Sequence, residues 1–414
     1  MINIHKNAIL FSEQWRLAVK NFWFLRKEEQ ELVLAYSQQL IINPFVSFRK
    51  VAKWLGLADN GRKLANCLNK LWKNYQEVKE QLTGQLKNNL ELRKRIYLAI
   101  DDYGLAKRGT KIATAGDFFA HAKKRHLNGH VVVDAAVIQD NRVCASYHEI
   151  QPLRRKRATK QSTTRGNGKK PLITKIALAR RLINQLVPLI APTTQLKKRL
   201  WVLMDRWYPC KQLVAVLRQW EVNYLLAIKS NAQVLLPDRK AMSKPHTSRR
   251  GRPAKYKPRK LAVRQYFDLY KTEHYFTFKP QALVVYYKDA LLTTSSYGRV
   301  KIFAFRLDST ADYRYFICSN YQLPASEAFA IYSQRWPIEG LHKELKQYFG
   351  LRKCHSRRDS VVRGHFWLVY CLHQQFCQLR LRLAKKTSLQ LTAHQLWYEQ
   401  YQFYCWPHKP PLVS

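Results

Sequence analysis

The stretch Ile331-Tyr-Ser-Gln-Arg-Trp-Pro-Ile-Glu-Gly-Leu-His-Lys-Glu-Leu-Lys346 carries a phenol, a guanidinium, a carboxylate and an ammonium, on Tyr332, Arg335, Glu339 and Lys346. At about 100° per residue these four fall within one narrow arc of a helix. Two cations and a phenol beside a carboxylate suit a phosphodiester held next to a metal ion. The same spacing also reads as a solvated polar stripe with an Arg335–Glu339 pair one turn apart. Pro337 either breaks this helix or stands at the first position of a new one. His342 follows Glu339 by three residues, as a neighbour of the site or as a satisfied helix histidine. Two more acids end short apolar runs: Asp101-Asp102 after Ile96–Ile100, and Asp205 after Leu200–Met204. Carboxylates at the ends of adjacent strands repel one another unless they are protonated or share a cation. Mg²⁺ takes such oxygen ligands and leaves positions for phosphate oxygens and water. Capping or turn formation is the alternative role for both acids.

The composition narrows the partner. The 414 residues include 73 Lys and Arg against 27 Asp and Glu, a net charge of +46. Such a charge calls for a polyanion and argues against an enzyme of small acidic metabolites. A hydrophobic fraction of 46% excludes a wholly disordered chain. No run of about 18 uncharged apolar residues occurs, and the start lacks the order of a signal peptide. We therefore expect no membrane association and a cytoplasmic, nucleoid-associated protein. The eight cysteines are scattered without a CxxC, which points to free, mostly buried thiols rather than zinc or disulfides.

The elements that must position these residues follow from periodicity. Residues 1–95 read as a helical DNA-binding domain. Within it, Ser47–Tyr75 resembles a helix-turn-helix with a break at Gly56 and Asp59 or Asn60 capping a second helix from about Arg62. That helix would carry Arg62, Lys63, Asn66 and Lys70 toward a DNA groove. Residues 96–231 mix strands with helices, including a strand pair at His130–Ile138 and Asn141–His148. Residues 232–300 contain a basic, Pro- and Gly-bearing segment and read as an insertion. Residues 301–385 return to strands and then to helices, and 386–414 form a tail.

The full spacing Tyr332-x2-Arg335-x3-Glu339-x6-Lys346 resembles the Tyr-Arg-Glu-Lys signature of the DDE transposases of bacterial insertion sequences. IDDYGLAKRG, from Ile100, resembles the first acidic motif of those enzymes, and VLMDRWYP, from Val202, the second. The resemblance covers roughly residues 95–350. It implies an α/β, RNase H-like mixed sheet with flanking helices, interrupted by a β-rich insertion and preceded by the all-α DNA-binding domain. It departs at Tyr103, which stands where the first motif usually has Thr or Ser. Asp101 and Asp102 both remain candidates for the first acid, and only one faces the metal because strand side chains alternate.

By this resemblance Asp101, Asp205 and Glu339 hold Mg²⁺, with Mn²⁺ as a substitute, for phosphoryl transfer with two metal ions. Tyr332, Arg335 and Lys346 grip the phosphates of double-stranded DNA. The reaction frees the 3′ ends of a mobile element and joins them to target DNA, as a homodimer bridging two ends. The basic run Arg154, Arg155, Lys156 and Arg157 reads as a DNA-tracking loop. Arg250-Gly-Arg252-Pro resembles a short segment that lies in A·T-rich minor grooves. The rival readings are a repurposed DNA-binding protein of transposase origin without catalysis, and a nuclease of the same fold that cuts without joining.

Overall fold

The computed structural model describes residues 6–42, 61–109, 111–120, 123–153, 173–236 and 259–387, together with Lys53, Gly56 and Gln395. The described helices begin with α1 (Lys6–Lys20), α2 (Lys27–Ile42), α3 (Arg62–Lys73) and α4 (Tyr75–Asn89). Then come β1 (Ile96–Ala106), β2 (Gly116–Ala120), β3 (Arg125–Gln139), β4 (Arg142–Gln151), α5 (Lys175–Ile190), α6 (Thr194–Arg199) and β5 (Leu200–Met204). They are followed by α7 (Lys211–Gln219), β6 (Asn223–Ile228), β7 (Gln233–Leu236), β8 (Arg259–Ala262), α8 (Val263–Tyr270) and β9 (His274–Phe278). The chain closes with β10 (Leu283–Thr294), β11 (Gly298–Arg306), β12 (Arg314–Cys318), α9 (Ala325–Ser333), α10 (Pro337–Gln347) and α11 (Asp359–Thr387). Two compact units emerge. One holds Met1–Arg93, Asp101–Leu182 and Trp336–Ser414; the other holds Lys94–Ile100 and Ile183–Arg335.

In the first unit, β3 is long enough to pair with β2 through its first residues and with β4 through the rest, and β1 neighbours it as well. The β3–β4 hairpin turns on Asp140 and Asn141, both at positive φ (50° and 60°). Aspartate and asparagine tolerate this conformation, and it matches the twist of a two-residue hairpin. Helix α3 buries Leu64, Cys67, Leu68 and Leu71 and exposes Arg62 and Lys63, the stripe that a helix on a core requires. The buried stripe meets α11, where a Cβ on Gly364 would lie 1.8 Å from the Leu68 carbonyl oxygen. Only glycine permits that approach. Helix α11 is buried along most of Val361–Leu379 and packs on α1 to α4, β4 and α10. Among the histidines buried in this core are His130, His148 and His365. Burial holds each of these imidazoles neutral, pulling its pKa down to about 3, with Lys107 adding to the effect on His130 and His365.

In the second unit, Ile96–Ile100 of β1 runs parallel to β5, and β5 runs parallel to β6. Parallel neighbours need a crossover, which α7 supplies between β5 and β6. Antiparallel strands β12, β11 and β10 continue the sheet from β6, and β10 then takes β7 and β9 at different ends. The core here is apolar and aromatic, with Trp201, Phe303, Phe305 and Phe316 buried and the Phe303 and Phe305 rings stacked at 5.6 Å. The chain is thus a mixed α/β fold with an all-α N-terminal stretch, consistent with an RNase H-like core carrying insertions.

Several sequence expectations are corrected. The strand at Ile96 does not end at Asp101-Asp102 but runs on to Ala106, in the sheet beside β3. Tyr332, Arg335, Glu339 and Lys346 do not share one helix: α9 ends at Ser333, and Pro337 opens α10 at its first position, where its missing N–H costs nothing. Helix α3 begins at Arg62 as expected, but Gly61 stands at its N-cap at φ 88° without a side-chain cap. Lys70, placed with Arg62 and Lys63 in the expected groove-facing set, pairs with Glu29 of α2, its ammonium 2.7 Å from a carboxylate oxygen. The seven described cysteines are free, and all but Cys210 are buried. No described helix is long and apolar enough to cross a membrane.

Candidate active site

The two acidic motifs come just after paired positions of neighbouring parallel strands, Asp101 inside β1 and Asp205 beyond the end of β5. Ile100 of β1 is in register with Met204 of β5; Asp101 follows the first and Asp205 the second. The two carboxylates are also anchored alike. Asp101 Oδ1 accepts the Asp102 N–H at 2.8 Å, and Asp205 Oδ1 accepts the Arg206 N–H at 2.6 Å. Each bond fixes one oxygen of its carboxylate against the local backbone.

Asp205 belongs to the second unit. It follows a fully buried β5 and precedes an exposed Arg206-Trp207 pair. The Tyr332 hydroxyl donates to the carbonyl of Met204 at 3.4 Å, while its ring stands edge-on to Phe316 at 4.5 Å. The Arg335 guanidinium carbon lies 5.9 Å from the centre of the Tyr332 ring. Tyr332 and Arg335 are therefore grouped at the end of the strand that carries Asp205. Trp207 is 55% exposed, and Lys229 stands 4.7 Å over its ring.

Asp101, Glu339 and Lys346 belong to the first unit. Strand alternation puts Asp101 and Tyr103 on one face of β1 and Asp102 on the other. Helix α10 lies on the Tyr103 side: Lys346 Nζ is 4.3 Å above the Tyr103 ring, and the His342 ring is 4.4 Å from it. Glu339, His342 and Lys346 sit three and four residues apart, on one face of α10. Glu339 is exposed in the first turn of the helix, and Lys346 lies in its last turn. Burial pulls the Lys346 ammonium below the ordinary lysine range and Arg352 adds to this, while Asp134 and Asp101 oppose it. Asp102 points elsewhere and pairs with Lys175 of α5 at 2.5 Å.

Sequence reading missed the residues beneath this face. Asp134 of β3 is fully buried and accepts a hydrogen bond from Tyr370 at 2.5 Å; the Tyr370 and Tyr103 hydroxyls are 2.9 Å apart. His342 Nε2 lies 3.3 Å from Asp134 Oδ2. The signal was present in the sequence, as a lone carboxylate inside the apolar run Val131-Val-Val-Asp-Ala-Ala-Val-Ile138. On its other side α10 is tied to α11 by Glu344, whose carboxylate takes His373 at 2.8 Å and Arg380 at 3.3 Å. Burial opposes protonation of His373, yet Cys377 and Glu344 raise its pKa to about 9.

Arg62 and Lys63 are exposed on α3 in the first unit, away from its buried stripe. Arg154, Arg155, Lys156, Arg157, Arg250 and Arg252 lie outside the described residues, as does the first helix expected of the helix-turn-helix. The oxygen donors of Asp101, Asp205 and Glu339 fit a hard divalent cation in kind. Among the described residues no group of three or more His, Cys, Asp or Glu stands together as a metal site.

No curated protein matches the chain. The family model described as DDE superfamily endonuclease matches residues 24–273, more than half of the sequence. The match contains Asp101 and Asp205 and stops before Glu339. With its two acids following paired positions of parallel strands, and a family match across most of its first two thirds, the chain belongs to the DDE superfamily endonucleases.

Proposed function

We propose that this endonuclease is the transposase of a bacterial insertion sequence, of the group with the Tyr-Arg-Glu-Lys signature. It cleaves double-stranded DNA at the ends of the element and joins the freed 3′ ends to target DNA. The register of Ile100 with Met204 carries the reading, because it sets one acid after each of two paired parallel positions. Asp101, Asp205 and Glu339 are the carboxylates that hold the metal ions. Asp101 is preferred to Asp102 because it shares the β1 face with Tyr103 and α10, while Asp102 is engaged by Lys175. Mg²⁺, or Mn²⁺ in its place, supplies charge stabilisation at the transferring phosphoryl group.

The chain's own residues bind and orient the DNA. Arg335 and Lys346 neutralise phosphates beside the scissile bond, and the Tyr332 hydroxyl, at the end of β5, turns its proton from the Met204 carbonyl to a phosphate oxygen when DNA is bound. Water attacks phosphorus and the bond to the 3′ oxygen breaks. That 3′ hydroxyl then attacks a phosphodiester of the target and displaces the target strand's own 3′ oxygen, which leaves as a hydroxyl, so no covalent enzyme intermediate is formed. Arg62, Lys63, Arg154, Arg155, Lys156, Arg157, Arg250 and Arg252 supply contacts to phosphates and grooves, and their cost without a polyanion fits the net charge of +46. The active form is a homodimer on DNA in the cytoplasm, associated with the nucleoid. The domain division proposed is 1–95 for DNA binding, 96–231 and 301–385 for the catalytic core, 232–300 for an insertion and 386–414 for a tail.

The test is Mg²⁺-dependent cleavage of DNA carrying the element's own ends, with binding measured in parallel. Asp205→Ala, Glu339→Ala and Asp101→Ala are expected to bind the ends and lose cleavage by at least about a thousandfold. Asp102→Ala is expected to keep most of it. A wild-type protein that binds the ends but never cuts them, with Mg²⁺ or Mn²⁺, is a DNA-binding protein of transposase origin instead.

A further inference from the structure

Asp134 has an environment that stability alone does not explain. The chain has 27 acidic residues against 73 basic ones, and this one is buried without any exposed surface in the middle of β3. Taking a carboxylate out of water is costly, and an apolar residue of similar size often serves a core as well or better. The groups around it are specific. Tyr370 donates to Oδ1 at 2.5 Å, and its ring stacks on His148 at 4.1 Å. The Tyr370 hydroxyl meets that of Tyr103 at 2.9 Å. His342 Nε2 stands 3.3 Å from Oδ2, within ion-pair distance but without the alignment of a hydrogen bond.

Each contact leads to a residue of the proposed site. Tyr103 follows Asp101 by two positions, on the same face of β1. His342 lies one turn after Glu339 and one turn before Lys346, on the same face of α10. We propose that Asp134 is a positioning residue for DNA cleavage: through Tyr370 and Tyr103 it sets the β1 face that carries Asp101, and through His342 it sets the rotation of α10 that presents Glu339 and Lys346. The proposal rests on the reading of Asp101, Glu339 and Lys346 as reaction residues. Its physical basis is that apolar contacts are non-directional, while Glu344 ties α10 to α11 on one side only. A buried carboxylate that takes Tyr370 of α11 and faces His342 of α10 adds a second polar tie on the side toward β1. Displacements of about 1 Å at reacting groups cost on the order of a hundredfold in rate.

The experiment uses the full chain and two readouts. One is amide hydrogen exchange across residues 337–347 in metal-free protein. The other is the Mg²⁺ concentration that half-activates cleavage, with DNA affinity measured alongside. Asp134→Asn keeps the shape and an acceptor for Tyr370 but removes the charge facing His342. It is expected to speed exchange in α10 while leaving that of α3 unchanged. It should also raise the half-activating Mg²⁺ concentration by roughly 10–100-fold, the range for groups that orient metal ligands, at unchanged DNA affinity. His342→Ala should do the same, and His342→Gln, which keeps an N–H group facing Asp134, should recover most of the loss. The double variant Asp134→Asn with His342→Ala should be no worse than the more impaired of the two single variants, since both cut one link. Tyr370→Phe, which removes a single hydroxyl, covers the case in which Asp134→Asn does not fold, and should shift both readouts in the same direction. Wild-type exchange and Mg²⁺ dependence in Tyr370→Phe or Asp134→Asn, or effects of Asp134→Asn and His342→Ala that simply multiply, overturn the proposal. Should the wild type not cut at all, the functional reading fails, while exchange in α10 still decides whether Asp134 holds that helix.

Discussion

Asp205 leaves β5 from a core of Trp201, Phe303, Phe305 and Phe316, and the side chain beside it, Tyr332, is packed edge-on against Phe316. Asp101 lies in a strand whose next inward residue is Tyr103, and beneath Tyr103 come Tyr370, Asp134 and His342, all buried and polar. The two carboxylates are anchored by the same local bond, to the N–H of the following residue. Their supports differ in kind. Apolar packing in the second unit is strong and non-directional. The polar network in the first unit is weaker per contact but specifies orientation, and it is expensive when partly broken. The unit that carries Glu339 and Lys346 on a short helix is the one that uses directional support, which is what a helix needs to hold its rotation.

The largest effect that separates the two supports comes from truncation. Phe303→Ala in the second unit should cost about 3–5 kcal/mol of unfolding free energy, since Phe303 is fully buried. Tyr370→Phe in the first should cost about 1–3 kcal/mol, by leaving Asp134 with an unsatisfied buried oxygen. Urea unfolding followed by hydrogen exchange measures both. Equal costs would show that the polar network contributes to stability as packing does and would break the contrast.

pH gives the next effect. The histidines whose pKa values move are, among the described residues, all in the first unit. His130, His148 and His365 are held near 3 in the folded chain against 6.5 unfolded. Above 6.5 both states are neutral and nothing is lost. Below it the unfolded chain takes up protons that the folded chain refuses, so stability falls as pH drops from 6.5 toward 3. The loss is up to about 1.4 kcal/mol per pH unit for each histidine. His373 works in the opposite sense. Its folded value of about 9 makes its contribution complete below 6.5 and lost as pH rises through 9. Melting temperatures measured across this range should peak between the two limbs, with exchange in α11 and β3 rising first on acidification. A flat profile from about pH 7 to 5 would mean that these imidazoles are hydrated.

The smallest effects belong to the surface of α3. Arg62→Ala and Lys63→Ala should change stability by less than about 0.5 kcal/mol. Each should lower DNA affinity and reduce the slope of binding against salt by about one for every phosphate left without its cation. Lys70→Ala should do the reverse, leaving DNA binding intact and costing about 1 kcal/mol through its pair with Glu29. A Lys70 variant with weakened DNA binding would return that residue to the DNA-facing set.

The elements of the second unit are the more legible in the sequence. Leu200–Met204 and Tyr224–Ile228 read directly as buried strands, because short apolar runs bounded by turn residues have few other uses. Helix α10 is visible as an alternative in Pro337, whose chemistry permits a helix start more readily than a helix interior. The extent of β1 is not legible, since Asp101, Asp102 and Gly104 are poor strand formers and take strand form in a sheet where β1 neighbours β3. The role of Asp134 is hidden because a strand pattern records which face is buried and not what lies across it.

Sequence by itself determined the chemistry available: the acid at the end of β5, the cations and phenol spaced ahead of and behind Glu339, and a net charge of +46. These depend on residue type and local spacing, which short-range sterics and charge translate directly. Tertiary structure alone decided which of two adjacent aspartates shares a face with α10, that Lys70 is spent on Glu29, and that a buried carboxylate lies under Tyr103 and His342. Those outcomes join residues from tens to hundreds of positions apart, and only the packing of separate elements brings them into contact.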